Sequence, residues 1–164
     1  MPLLLQTRQT RATVRYTGVD SPIGPLLATA DEAGAVSGLW FDRPPSGAWR
    51  RDDHAFADLR AQLDGYFAGE LREFSLALAP AGTAWQQLVW AALMDVPYGE
   101  TMSYGELAAR VGRPSACRAV GAANGRNPIS VIVPCHRLVG SNGSLTGYAG
   151  GLERKAWLLQ HEGA

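Results

Sequence analysis

Cysteine is scarce: Cys117 and Cys135 are the only two, 18 positions apart and in no Cys-x-x-Cys arrangement. That excludes a disulfide scaffold and points to a reducing compartment, with at least one thiol free. Lysine is scarcer still, with Lys155 alone among 15 basic side chains, a bias that with the many alanines suits a GC-rich bacterial genome. No apolar run approaches the roughly 20 residues that a membrane helix requires. Leu3 to Leu5 are too few for a signal-peptide core, so residues 1–11 read as a flexible tail and the chain as cytoplasmic. Net charge is absent too, since 15 acids balance 15 bases, but the balance is not local. Between Leu107 and Leu152 there is no aspartate or glutamate, whereas Arg110, Arg113, Arg118, Arg126 and Arg137 give that stretch five positive charges. The remainder therefore carries minus five, and one segment of a neutral protein is a cation suited to phosphates.

What is present is ample for a core: 164 residues, 46% of them hydrophobic, make one globular unit or two small ones. Thr13 to Val19, Gly24 to Ala30 and Val36 to Phe41 read as three antiparallel strands separated by turn residues. Arg43 to Arg51 is a loop, and Phe56, Leu59, Leu63, Tyr66 and Phe67 predict a helix stopping near Gly69. Phe74 to Leu78 is expected to close the sheet, and Pro80-Ala81-Gly82 to link a first domain, 12–80, to a second, 83–164.

In the second part Thr83 caps a helix whose stripe is Trp85, Leu88, Val89, Ala92 and Leu93. Ser103 caps a short helix through Val111, Gly112 to Pro114 turn the chain, and Ser115 is expected to cap a helix to about Asn124. Helix, tight turn and helix form a helix-turn-helix pattern. On the second of these helices Arg118 shares a face with Ser115, Ala122 and Gly125, while Cys117, Val120 and Gly121 point away. A face of small residues allows close approach to a surface such as a minor groove, with Arg118 free to enter the base stack. Close helix packing in a core would use the same residues.

Ile129 to Val133 reads as a buried strand that Pro134 must end, which puts Cys135 at a strand terminus. A thiol reacts as thiolate and needs a base or a cation nearby; His136 and Arg137 come next in sequence. Neighbours on a strand face opposite ways, so a water would carry the proton between Cys135 and His136. The histidine needs an orienting acceptor, and Glu153 and Glu162 are the only acids after Glu106. A last helix, Gly151 to Glu162 with Leu152, Ala156 and Leu159 as its stripe, can bring Glu162 to His136.

Val133-Pro134-Cys135-His136-Arg137 resembles the active-site motif of the methylated-DNA–protein-cysteine methyltransferases, which repair guanine alkylated on O6. Ser103 to Ala108, Arg118 to Gly121, Asn127-Pro128, Gly147-Tyr148 and Leu158 to Gly163 resemble the same family in the same order. The likeness runs from about Trp85 to the end; residues 12–80 resemble the family's amino-terminal domain in layout only. It implies an α+β protein, a small ribonuclease-H-like sheet domain before a mainly helical domain with the helix-turn-helix. It further implies Cys135 as alkyl acceptor, His136 as water-mediated base, Glu162 as the carboxylate orienting it, and Asn127 as a hinge. Tyr104 would assist the leaving base and Arg118 would fill the gap left by a flipped nucleotide, with Ser103, Ser115, Gly121 and Ala122 also at the DNA. Tyr148, Ala149, Leu138 and Ser141 would line the base pocket.

The partner implied is duplex DNA carrying O6-alkylguanine, bound through the minor groove by a monomer, with O4-alkylthymine and cooperative clustering left open. No membrane and no cofactor are expected. Some relatives hold a zinc in the first domain, but only His54 and no cysteine is offered there, so no metal is expected either. Cys117 stands where the family has a small residue and is expected to be buried and inert; Asn124 is polar where an apolar residue would pack. The competing readings are a lesion-binding protein that accepts no alkyl group, a cysteine hydrolase and a helix-turn-helix regulator. The presence of Cys135 disfavours the first, and an adjacent Cys-His pair with no evident oxyanion site disfavours the second.

Overall fold

The computed structural model describes residues 13–164; the tail expected over residues 1–11 lies outside them. The architecture is α+β. Strands β1 (Arg15–Val19), β2 (Leu26–Ala30) and β3 (Val36–Phe41) form the antiparallel meander that their alternation predicts. The expected loop ends in a two-residue strand, β4 (Arg50–Arg51), which adds parallel to β1 and completes the order β3-β2-β1-β4. Helix α1 (Ala57–Phe67), entered through a 3-10 turn at Asp53–Phe56, packs Phe56, Leu59, Leu63 and Tyr66 into the core.

Phe74 to Leu78 does not become a strand. Only Leu78 bridges β3, at Val36, because the same sheet edge also serves the second half of the chain: Leu39 bridges Ile129. Leu39 N–H donates to the Pro128 carbonyl at 2.8 Å and Ser130 N–H to the Leu39 carbonyl at 2.9 Å. The exposed ladder of β3 is thus spent on the segment leading to Cys135, which also protects the edge.

Helix α2 (Ala84–Leu93) starts with a complete capping box between Thr83 and Gln86. Its inward face holds Trp90 rather than Leu88, which is 47% exposed. The reason is polar as well as apolar: the indoles of Trp85 and Trp90 donate to the Ala119 and Ala123 carbonyls and tie α2 to α4 (Cys117–Gly125). After β5 (Met102–Ser103), α3 (Tyr104–Arg110) begins with a second capping box, Ser103 with Glu106. Gly112, at φ 78°, turns the chain towards α4 in a conformation that side chains avoid. The expected Ser115 cap is not formed: α4 starts one residue later, after Ala116, with no side-chain cap.

The greatest departure is Ile129 to Val133. The segment is buried throughout, yet it is a turn, closed by Val133 N–H to the Ile129 carbonyl, with Val131 at φ 71°. A β-branched residue in that region is strained and needs support from its surroundings. Cys135 therefore lies at the start of a 3-10 turn, Cys135–Arg137, and not at a strand end. β6 (Leu138–Val139) follows, parallel to β5, and α5 (Leu152–Glu162) closes the fold. Its buried face is Lys155, Leu158, Leu159 and Glu162; Leu152 and Ala156 of the expected stripe are exposed. Two inward polar residues shift the face in a way that hydrophobic periodicity does not register.

Candidate active site

The 3-10 turn buries three consecutive side chains, Cys135, His136 and Arg137. Asn127, just beyond α4, fixes the turn that precedes them. Its amide nitrogen donates to the Val133 carbonyl at 2.9 Å and to Cys135 Sγ at 3.1 Å, and its Oδ1 accepts from Ile129 N–H at 2.9 Å. One side chain thereby holds both the strained turn and the sulfur.

Glu162 is the last residue of α5, and Gly163, left-handed at φ 77°, ends the helix there. Its carboxylate is wholly buried and receives four hydrogen bonds. Arg137 Nε donates to Oε1 at 2.8 Å; Arg137 Nη2, His136 Nε2 and the Tyr66 hydroxyl converge on Oε2 at 3.0, 2.9 and 2.6 Å. Burial raises the pKa of such a group, but the bonds from His136, Arg137 and Tyr66 outweigh it and hold Glu162 down to about 2. An ionised carboxylate cannot donate, so His136 carries its proton on Nε2 and keeps a lone pair on Nδ1.

That Nδ1 has no partner within the protein. Burial lowers the pKa of His136, so the ring is neutral at physiological pH and able to take a proton. Burial also pushes the Cys135 thiol up to about 11, against the opposing donation from Asn127 and the nearby Lys155 cation. At rest the sulfur is protonated; a base must act before it can attack. Among the described residues the other buried side-chain atoms without partners are Asn124 Oδ1 and the Tyr148 hydroxyl. Asn124 Nδ2 approaches the Cys135 carbonyl at 3.5 Å, and burial, then the Cys135 charge, lifts the Tyr148 phenol well above its ordinary value. Unsatisfied buried polar atoms are rare, and of these three residues His136 follows Cys135 in the chain while Asn124 approaches its carbonyl.

The other predicted residues surround this centre unevenly. Tyr104, half-buried at the start of α3, accepts a hydrogen bond from Thr146 at 2.8 Å and so touches the loop that carries Tyr148. Leu138 is fully buried in β6, and Ser141 and Ala149 are exposed. Ser115, Arg118 and Ala122 are exposed on or beside α4, Gly121 is half-buried against the Tyr104 ring, and Ser103 is half-buried with its hydroxyl used as a cap. Cys117 is exposed, contrary to its expected burial, because it opens α4 where the helix has not yet met α2. Arg137 leaves the cationic surface altogether, bound to Glu162 and the Val96 carbonyl, so four exposed arginines remain on that stretch.

Three residues here escaped sequence reasoning. Arg137 was visible only as a charge beside a thiol. In the sequence Tyr66 is one position of the apolar stripe Phe56, Leu59, Leu63, Tyr66 and Phe67. Lys155, the sole lysine, is buried, its ammonium donating to the Leu138 and Thr146 carbonyls at 2.5 and 2.7 Å. Its uniqueness among so many arginines was the one available signal.

Residues 84–164 match the family model described as 6-O-methylguanine DNA methyltransferase, DNA binding domain, and residues 14–80 that described as 6-O-methylguanine DNA methyltransferase, ribonuclease-like domain. The chain is 49% identical over 154 residues to the methylated-DNA–protein-cysteine methyltransferase of Methanosarcina acetivorans, covering 91% of this chain and 98% of that one. It is 52% identical over 152 residues to the protein of the same name from Mycobacterium leprae, covering 91% and 92%. Among solved structures, Mycobacterium tuberculosis OGT in complex with DNA matches with a TM-score of 0.86 at 51% identity, over 91% of this chain and 92% of that one.

Proposed function

The chain belongs to the methylated-DNA–protein-cysteine methyltransferase family, and from that premise we propose that Cys135 is the residue that accepts the alkyl group and O6-alkylguanine the lesion that yields it. Its function is direct-reversal DNA repair by alkyl transfer from DNA to a cysteine. The observation that carries the assignment to Cys135 is its place between the Asn127 amide and a neutral His136 whose Nδ1 lone pair is free.

The target carbon lies inside a duplex and Cys135 is buried, so the nucleotide is extruded into the protein, at a cost of a few kcal/mol. Arg118, exposed on α4, fills the gap from the minor-groove side, with Ser115 and Ala122 against the backbone. His136 Nδ1 takes the thiol proton through a bridging water, and the resulting imidazolium is held by Glu162. The sulfur attacks the alkyl carbon, the S–C bond forms and the C–O6 bond breaks. The electron pair stays on guanine, which takes its proton from the Tyr104 hydroxyl as it leaves, and the phenolate recovers one from water. The thioether left on Cys135 has no route back to thiol, so each molecule acts once. The Tyr148 loop and Leu138 border the base; O4-alkylthymine, a smaller ring with the same reacting group, is the second substrate to test.

Intact mass after incubation with duplex DNA bearing one O6-methylguanine tests the reading. A gain of one CH2 per chain that survives Cys117→Ser and vanishes in Cys135→Ala supports it. Tight binding with no gain in mass would leave a lesion-binding protein instead.

A further inference from the structure

Tyr66 lies in α1, in the sheet domain, 96 positions from Glu162, yet its hydroxyl reaches the carboxylate at 2.6 Å in a fully buried setting. Its ring packs edge-on to Phe67, Tyr98 and His161, contacts that a phenylalanine would make equally well. Packing therefore accounts for the ring and leaves the hydroxyl unexplained. A buried hydroxyl costs stability unless bonded, and this one is bonded to the very oxygen that His136 uses. Its acidity is suppressed far below normal by burial and by the Glu162 charge, so it is a donor at every working pH.

We propose that Tyr66 is a positioning residue of alkyl transfer: its hydroxyl holds Glu162 Oε2 in place and draws charge from it, setting how strongly His136 binds the proton taken from Cys135. This rests on the reading of Cys135 and His136 given above. With three donors on one oxygen, the carboxylate is a weak acceptor towards Nε2–H, and the imidazolium that forms during transfer is stabilised only as far as that acceptor allows. Without the hydroxyl the same oxygen attracts Nε2–H more strongly, and His136 becomes more basic. The titratable and charged groups around the pair are Cys135 and Arg137 of the 3-10 turn, Lys155 and His161 of α5, Tyr66 of α1, Tyr98 after α2 and Tyr148 of the pocket loop. Among these, Tyr66 is the neutral donor on Glu162, so its hydroxyl can be removed without changing the net charge of the site. The sheet domain would then act in the chemistry as well as in the fold.

The test is the single-turnover rate of alkyl transfer at saturating lesion DNA across pH, in the wild type, in Tyr66→Phe and in protein carrying a fluorinated tyrosine at position 66. The wild-type rate falls on the acid side as His136 protonates. In Tyr66→Phe the midpoint of that fall moves up by roughly half a pH unit or more, so that transfer below the midpoint slows about threefold, with DNA affinity unchanged. The fluorinated residue keeps ring and hydroxyl, folds as the wild type does, and as a stronger donor moves the midpoint down. A purely structural tyrosine would change the melting temperature and leave the midpoint where it is; midpoints that coincide in all three proteins overturn the role of Tyr66 alone. A wild type that transfers nothing, or whose rate shows no acid fall, overturns the Cys135 and His136 reading and this inference with it.

Discussion

Glu162 and His136 couple chemistry to stability because the fold holds both in their deprotonated forms, one an anion and the other neutral. Both have pKa values lowered in the fold, so the unfolded chain binds protons that the native one refuses. Their contribution is complete at neutral pH. It begins to drain below about pH 6.5, where unfolded histidine protonates, and drains faster below about 4.5, where unfolded glutamate does while native Glu162 stays ionised until about 2. Glu162 alone accounts for about 3 kcal/mol across that window. Urea midpoints measured from pH 7 to pH 3 should therefore fall continuously, with Glu162→Gln less stable at pH 7 and flatter below pH 4.5; a wild-type midpoint level down to pH 4 would contradict the buried cluster. Residue chemistry makes Cys135, His136 and Glu162 legible, the family resemblance adds Asn127, and the four stand together in the fold. Tyr66, Lys155 and the burial of Arg137 are not legible, because nothing local in a sequence records which polar group a distant element turns inwards.

Elements were legible where one local rule governed them. β1 to β3 obeyed turn chemistry and alternation, and α2 and α3 began at capping residues that fulfil the capping geometry. Where tertiary context decided, local rules failed. Ile129 to Val133 had the apolar run of a strand but is threaded through the core as a turn, its ladder bonds given to Leu39 and to Asn127. Hydrophobic periodicity misplaces the α5 face because Lys155 and Glu162 count as outward residues on any hydrophobic scale. The two serines flanking the helix-turn-helix separate local rule from context experimentally. Ser103 closes a capping box, whereas Ser115 caps nothing. Ser103→Ala should cost about 1 kcal/mol of stability, and Ser115→Ala should stay within about 0.5 kcal/mol, both read from urea denaturation. Equal costs would mean that α4 starts earlier than Cys117.

The two halves of the molecule share one sheet edge and one buried polar centre. Leu39 of β3 pairs with the residues on either side of Ile129, Tyr66 of α1 bonds Glu162, and the Tyr66 carbonyl lies 2.7 Å from His161 Nε2. Arg154 of α5 reaches back to the Ile23 carbonyl and to Asp42, lying over the Phe41 ring. Such crossings leave neither half with a satisfied interior of its own: without β3 the Ser130 N–H and Pro128 carbonyl lose their partners, and without α5 the Tyr66 hydroxyl loses its acceptor. Unfolding is thus expected to be one transition despite the two-part layout. Tryptophans report on both halves, Trp40 and Trp49 in the first and Trp85, Trp90 and Trp157 in the second, so fluorescence of single-tryptophan variants can be compared with far-ultraviolet circular dichroism along one urea series. The curves should superimpose, with a common slope of about 2 kcal/mol per molar urea. Loss of the first-half signal at lower urea, with the second half still folded, would show that Leu39 at the Ile129 segment and Tyr66 at Glu162 contact the site without sustaining it. A single transition ties the strained Val131 turn, and the sulfur behind it, to the integrity of the sheet.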